Sequence, residues 1–157
     1  MPDIVCPLHD VPSSRPLLEK LQAEGITVRR ARAWERTDLS AFILTNFGQG
    51  WLDEALMAFA HHPVTIFIAR DAEKIIGFAA YEVTGRAYFG PTGVAEALRG
   101  RGVGKALLYA SLEGLRELGY TYGFIGSPGP IQFYLNATPG LLLPEQWSNV
   151  YTRGVGS

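Results

Sequence analysis

Gly93–Leu108 reads GVAEALRGRGVGKALL: a β-rich run ends at Val94, glycines stand at the alternate positions 100, 102 and 104, and an apolar stripe begins. That stripe (Leu107, Leu108, Leu112, Leu115, Leu118) has helical spacing, so the stretch predicts strand, glycine loop, then amphipathic helix from about Lys105 to Leu118. Glycines let main-chain N–H groups approach an anion closely. A helix start adds unpaired donors and roughly half a positive charge of dipole field. Together these make a cradle for a phosphate group, with Arg99, Arg101 and Lys105 adding positive charge at its rim.

The spacing narrows the ligand. A nucleoside-triphosphate loop needs a glycine five positions before Gly104 and a hydroxyl residue after Lys105, where this chain has Arg99 and Ala106. A dinucleotide GxGxxG loop begun at Gly100 or Gly102 would place its third glycine at Lys105 or Leu107. Both patterns fail.

Outward from the loop, Tyr120–Gly126 predicts a buried strand, followed after Ser127-Pro128-Gly129-Pro130 by a short helix through Asn136. Leu141–Arg153 predicts one or two last strands. Upstream, Val64–Ala69 and Lys74–Val83 read as a hairpin, and Ala87–Val94 as a third strand that Gly90 and Pro91 bulge or splay. Before it lie helices Leu39–Phe47, capped by Asp38, and Trp51–Ala60, ended by Pro63. Ile26–Arg32 predicts a half-buried strand and Leu17–Glu24 a helix closed by Gly25. Met1–Pro16, with four prolines, reads as an irregular arm. The order predicts one mixed α/β (α+β) domain over 1–157, with an arm and helix at 1–25 and the core at 26–157.

Composition agrees with a globular chain. Apolar residues make up 47% and the formal net charge is −1, without the basic excess of a nucleic-acid surface. One cysteine, Cys6, forms no internal disulfide, and three histidines offer no spaced metal set, so neither metal nor nucleic acid is expected. No apolar run reaches the roughly 18 residues of a membrane span, and the N-terminus lacks a signal-peptide pattern. A cytoplasmic protein without a membrane partner is the expectation.

The pattern Arg99-x-x-Gly102-x-Gly104 resembles the Gln/Arg-x-x-Gly-x-Gly/Ala signature with which the GNAT superfamily of N-acetyltransferases binds the coenzyme A pyrophosphate. The resemblance runs from about Ile26 to the C-terminus, keeps the family's element order, and includes Phe133-Tyr134 in a short helix after a strand. FGPTGVAEALRGRGVGKALL is similar to small single-domain bacterial members. The resemblance implies a mostly antiparallel central sheet with helices on both faces. It also implies a V-shaped splay between two central parallel strands, here Ala87–Val94 and Tyr120–Gly126. Acetyl-CoA would be the co-substrate, held by main-chain groups of Val94, Arg101, Gly102, Val103, Gly104 and Lys105, with Arg99 and Gly100 completing the loop. The acceptor would be a small-molecule or peptide primary amine that attacks the thioester directly, with no covalent enzyme intermediate. Members of the family often dimerise, which leaves both a monomer and a homodimer open. A non-catalytic acyl-CoA sensor of the same fold is the alternative.

By the same resemblance Tyr134 matches the family's general acid, since a phenol with a pKa near 10 can donate to a developing thiolate. Several members carry a base glutamate on the strand before the loop, where this chain has Tyr88 and Phe89. Glu82, Glu96 and a water chain remain as routes for the amine's proton, Glu82 being the preferred carboxylate. Ser127 stands where members often have a cofactor-contacting asparagine. Trp34, Phe47 and Trp51 fall where the family's substrate loops lie, although core packing is the preferred reading for them. Arg29, Arg30, Arg32 and Arg36 read as a solvated strand edge, His61-His62 as a helix end, and Cys6 as an unactivated thiol.

Overall fold

The computed structural model describes residues 1–152. Its elements, in chain order, are β1 (Ile4–Pro7), α1 (Arg15–Ala23), β2 (Thr27–Arg30), α2 (Arg36–Phe47), α3 (Gln49–Leu56), β3 (Ile66–Arg70) and β4 (Ile75–Tyr81). β5 (Tyr88–Val94), α4 (Val103–Glu117), β6 (Tyr122–Ile125), α5 (Ile131–Ala137) and β7 (Leu141–Leu142) follow. The strands form one seven-stranded sheet in the order β2-β3-β4-β5-β6-β1-β7, antiparallel except for the β5–β6 pair. This is the mixed, mostly antiparallel α/β architecture expected of the sequence.

Two apolar cores sandwich the sheet. β4 is buried along its whole length because both of its faces are covered. On one face Ile76 and Ala79 pack with α1, α4 and α5 through Leu21, Leu107, Leu108 and Tyr134. On the other, Phe78 and Ala80 pack with Leu39, Ile43, Leu52 and Ala55 of α2 and α3. Each fully buried Leu, Ile or Phe among these contributes about 1.5–3 kcal/mol of burial.

The bulge forecast from Gly90 and Pro91 is present. Ala79 pairs with Thr92 while Tyr81 pairs with Phe89, so β5 carries one extra residue there, and Gly90 takes φ +120°. Below the bulge β5 runs parallel with β6 through Tyr88–Phe124 and Phe89–Ile125. Above it, among the described residues, the β6-facing edge of β5 has no strand partner. The sheet is split at its centre.

Three sequence expectations need correction. Met1–Pro16 is not an irregular arm: Ile4 and Cys6 are fully buried, and β1 lies between β6 and β7 with Ile4 opposite Ile125. Asp38 does not cap α2, which begins two residues earlier at Arg36. Of the arginines read as a solvated edge, Arg32 and Arg36 are exposed, but Arg29 and Arg30 of β2 are not. Arg29 donates to both Glu35 oxygens at 2.7 and 3.0 Å, Arg70 adds a bond at 3.1 Å, and the Arg32 N–H a further one at 2.8 Å. Arg30 lies over the Phe67 ring and donates to the Val64 carbonyl and the Tyr81 hydroxyl. Of the forecast C-terminal strands only β7 forms, followed by a 3₁₀ turn at Val150–Thr152; Arg153 lies outside the described residues.

Candidate active site

The central split opens into a cleft of about 900 Å³, within the range usual for small-molecule sites. Its floor is the bulged part of β5. One wall is the glycine loop and the start of α4, and the other is Gly126–Pro130 with Phe133 and Tyr134 of α5. Phe47, Gly50, Trp51 and Glu54 of α2–α3 close one end together with Tyr151.

The start of α4 is bare. Gly102 is its N-cap in the left-handed conformation (φ +89°), no side chain caps it, and its first turn holds no acidic residue. The Ala106 N–H is bonded to the Gly102 carbonyl. The amides of Val103, Gly104 and Lys105, by helix geometry, have no intrahelical acceptor. A Cβ on Gly104 would come no nearer than 3.7 Å to protein, at Val94 Cγ2. The protein's own packing therefore leaves room for a side chain that this glycine lacks, which suits a position kept small for close approach by a ligand. The Arg99 Nε donates to the Val94 carbonyl at 3.2 Å, fastening the loop to the end of β5.

Of the residues expected to hold the cofactor, Val94, Arg99, Gly100, Gly102, Gly104 and Lys105 line the cleft. Arg101 is exposed outside it, and the Val103 side chain turns into the core. Ser127 lines the opposite wall, where Asp3, itself buried, accepts its N–H at 2.8 Å. Asp3 also accepts from the Tyr88 hydroxyl at 2.9 Å and the Val150 N–H at 3.1 Å. Asp3, the residue before β1, thus sets the wall facing the glycine loop, a link that residues 1–16 gave no sign of.

Tyr134 lines the cleft with its ring edge-to-face against Phe89 and Phe133. Burial pushes its hydroxyl up to about 12, so it keeps its proton across the ordinary pH range. Glu82 is elsewhere. It sits at φ +62° in the β4–β5 connection, where its carboxylate accepts the Ala87 N–H and the Tyr120 hydroxyl, each at 2.6 Å. Neither Glu82 nor Glu96 lines the cleft. Glu82 locks a turn outside the cleft, with both of its oxygens taken. Among the described residues the carboxylate that does line the cleft is Glu54, which the sequence reading missed. It receives the Tyr151 hydroxyl at 3.3 Å, and burial raises its pKa.

Phe47 and Trp51 stack at 5.1 Å on the cleft wall, and Phe47 lies so close over β5 that a Cβ on Gly93 would come within 2.3 Å of it. Trp34 lies away from the cleft, 76% exposed beside Arg32. Cys6 is fully buried in β1, which pushes its thiol up to about 11; it is inert through burial. Among the described residues no group of three or more His, Cys, Asp or Glu side chains could hold a metal ion, and no helix is long and apolar enough to cross a membrane.

The profile of the acetyltransferase (GNAT) family matches residues 28–130. The fold is similar to a GCN5-related glucosamine N-acetyltransferase region of a fungal multi-domain GH3 β-N-acetylglucosaminidase (TM-score 0.72, 19% identity, 90% of this chain and 19% of that one). It is also similar to a GCN5-related N-acetyltransferase from Sphaerobacter thermophilus (TM-score 0.66, 17% identity, 90% and 48%). A third likeness is to N-acetylglutamate synthase from Neisseria gonorrhoeae, complexed with coenzyme A and N-acetyl-glutamate (TM-score 0.57, 19% identity, 71% and 27%). The chain spans less than half the length of each, and at these identities the likeness is one of fold. No curated protein matches the chain.

Proposed function

We propose, for a chain that belongs to the acetyltransferase (GNAT) family, that it transfers the acetyl group of acetyl-CoA to a primary amine. The observation that carries this reading is the bare N-terminus of α4, opening with Gly102 and Gly104 onto the split between β5 and β6. Free amides, the positive end of a fifteen-residue helix and the nearby Arg99 and Lys105 suit a pyrophosphate. The unpartnered edge of β5 offers main-chain hydrogen bonds to an extended amide-bearing arm such as pantetheine. The bound thioester would supply an acyl carbon open to attack by a neutral amine.

Each protein group then has a limited task. Gly102, Gly104, Lys105 and Arg99 hold the phosphates, and Val94 and its neighbours on β5 align the arm. The amine nitrogen forms a C–N bond to the acyl carbon as the C–S bond breaks. The Tyr134 hydroxyl, still protonated at neutral pH, hydrogen-bonds the departing sulfur and can give it a proton. The amine's own proton leaves toward water. Holding both reactants in one cleft removes much of the entropic barrier to their encounter.

The test is acetyl-CoA binding by thermal shift, followed by thiol release across a panel of amines. A rise in melting temperature with acetyl-CoA together with amine-dependent thiol release is the expected result. Binding without turnover on any amine would favour the acyl-CoA sensor, and no binding would overturn both readings.

A further inference from the structure

The two ends of the cleft differ in charge. Among the described residues lining it, the cations are Arg99 and Lys105, both beside the glycine loop. The end framed by α3 has one carboxylate, Glu54, and stacked rings from Phe47 and Trp51, with Trp51 39% exposed. The Tyr151 hydroxyl reaches Glu54 from the far side, so the C-terminal segment and α3 meet over this end. The Thr84 hydroxyl is buried next to this pair yet makes no hydrogen bond of normal geometry. Among the described residues no guanidinium or ammonium pairs with this half-buried carboxylate, which a neutral phenol bonds. Its pKa, raised mainly by burial, agrees with that.

Resting on the acetyl-transfer reading, we infer that Glu54 is the counter-charge for the acceptor's ammonium group. The acceptor is then a primary amine with an apolar, flat body and no anionic group of its own. The ammonium pairs with the carboxylate before its proton is lost, and the Phe47–Trp51 stack receives the body and adds a cation–π contribution. An acceptor bearing a carboxylate would set like charge against Glu54, with no cation among the described residues at that end to offset it.

A matched pair of probes tests this: 2-phenylethylamine and phenylalanine, which differ by one carboxylate. Binding of each to the full chain is measured by calorimetry with and without coenzyme A, and KM and kcat are measured with acetyl-CoA. The expected preference for 2-phenylethylamine is about 100-fold, from a like-charge cost of a few kcal/mol. Glu54→Gln should raise its Kd and KM about tenfold or more while acetyl-CoA raises the melting temperature as in the parent. Equal or better binding of phenylalanine, or unchanged amine binding in Glu54→Gln, overturns the inference. So does failure of 2-phenylethylamine to bind a chain that still binds acetyl-CoA. Loss of acetyl-CoA binding in the parent chain counts instead against acetyl transfer, and the titrations without coenzyme A still read the charge preference.

Discussion

Replacing Glu35 with glutamine removes the one negative charge that Arg29, Arg70 and the Arg32 N–H share. The Arg29 hydrogen bonds foremost, helped by the Arg32 amide and Arg70, hold this carboxyl at about 2, against 4.5 for an unperturbed one. A carboxyl depressed by folding adds stability above its unfolded value, and the contribution fades as pH falls from 4.5 toward 2. The difference corresponds to about 3 kcal/mol for a group this buried. The Arg29 and Arg70 side chains are 25% and 28% exposed, so water would partly solvate them in the variant. The expected loss for Glu35→Gln is therefore about 2–3 kcal/mol at neutral pH. Urea unfolding of parent and variant, followed by circular dichroism from about pH 7 to about pH 2, measures it. The gap between the two should close as the parent's carboxyl becomes protonated. A gap below about 0.5 kcal/mol at neutral pH, or one of constant size throughout, would refute the assignment of this network as the clamp between β2, β3 and the start of α2.

Gly104→Glu should fold normally, since its Cβ has 3.7 Å of room and an acid suits a helix start, yet lose acetyl-CoA affinity by about 100-fold or more. Retained affinity in an equilibrium titration would remove the glycine loop from the cofactor site. Tyr134→Phe should lower kcat by about 10- to 100-fold with acetyl-CoA affinity kept. Because the hydroxyl titrates at about 12, the parent's rate should show no loss attributable to Tyr134 ionisation up to about pH 10. An unchanged kcat in the variant would exclude the hydroxyl from proton transfer. Gly93→Ala should cost about 1–3 kcal/mol and disturb the near-ultraviolet dichroism of the Phe47–Trp51 stack, because the added methyl falls on the Phe47 ring. A melting temperature equal to the parent's would show that the ring is not held there.

The sequence was most legible where chemistry and backbone are local. The alternate glycines before the Leu stripe announced the bare helix start, and Gly90-Pro91 announced the bulge that splits the sheet. Strand β1 was hidden because its four residues lie among prolines and its partner lies more than a hundred residues away. The alternation of buried Ile4, Cys6 and Leu8 was the available signal. Glu82 illustrates the opposite error: nearness in sequence to the strand position where the family carries its base suggested that role, whereas Tyr120 and the Ala87 amide consume its oxygens. Glu54 could not be singled out because its meeting with Tyr151, nearly a hundred residues on, depends on the folded path of the chain. Cys6 reads as unreactive either way, but only the structure supplies burial as the cause.

The position of β1 in the sheet bears on how the protein is made. During synthesis residues 4–7 leave the ribosome more than a hundred residues before the strands on either side of them, β6 and β7. Until then the apolar side chains of Ile4 and Cys6 have no sheet to join, and the Ser127 wall has no Asp3 to hold it. Closing so long a loop is slow and leaves an unpaired β6 edge exposed to other nascent chains. A binder or chaperone that holds residues 1–10 should therefore delay the appearance of a competent cleft more than one that holds the exposed part of α2.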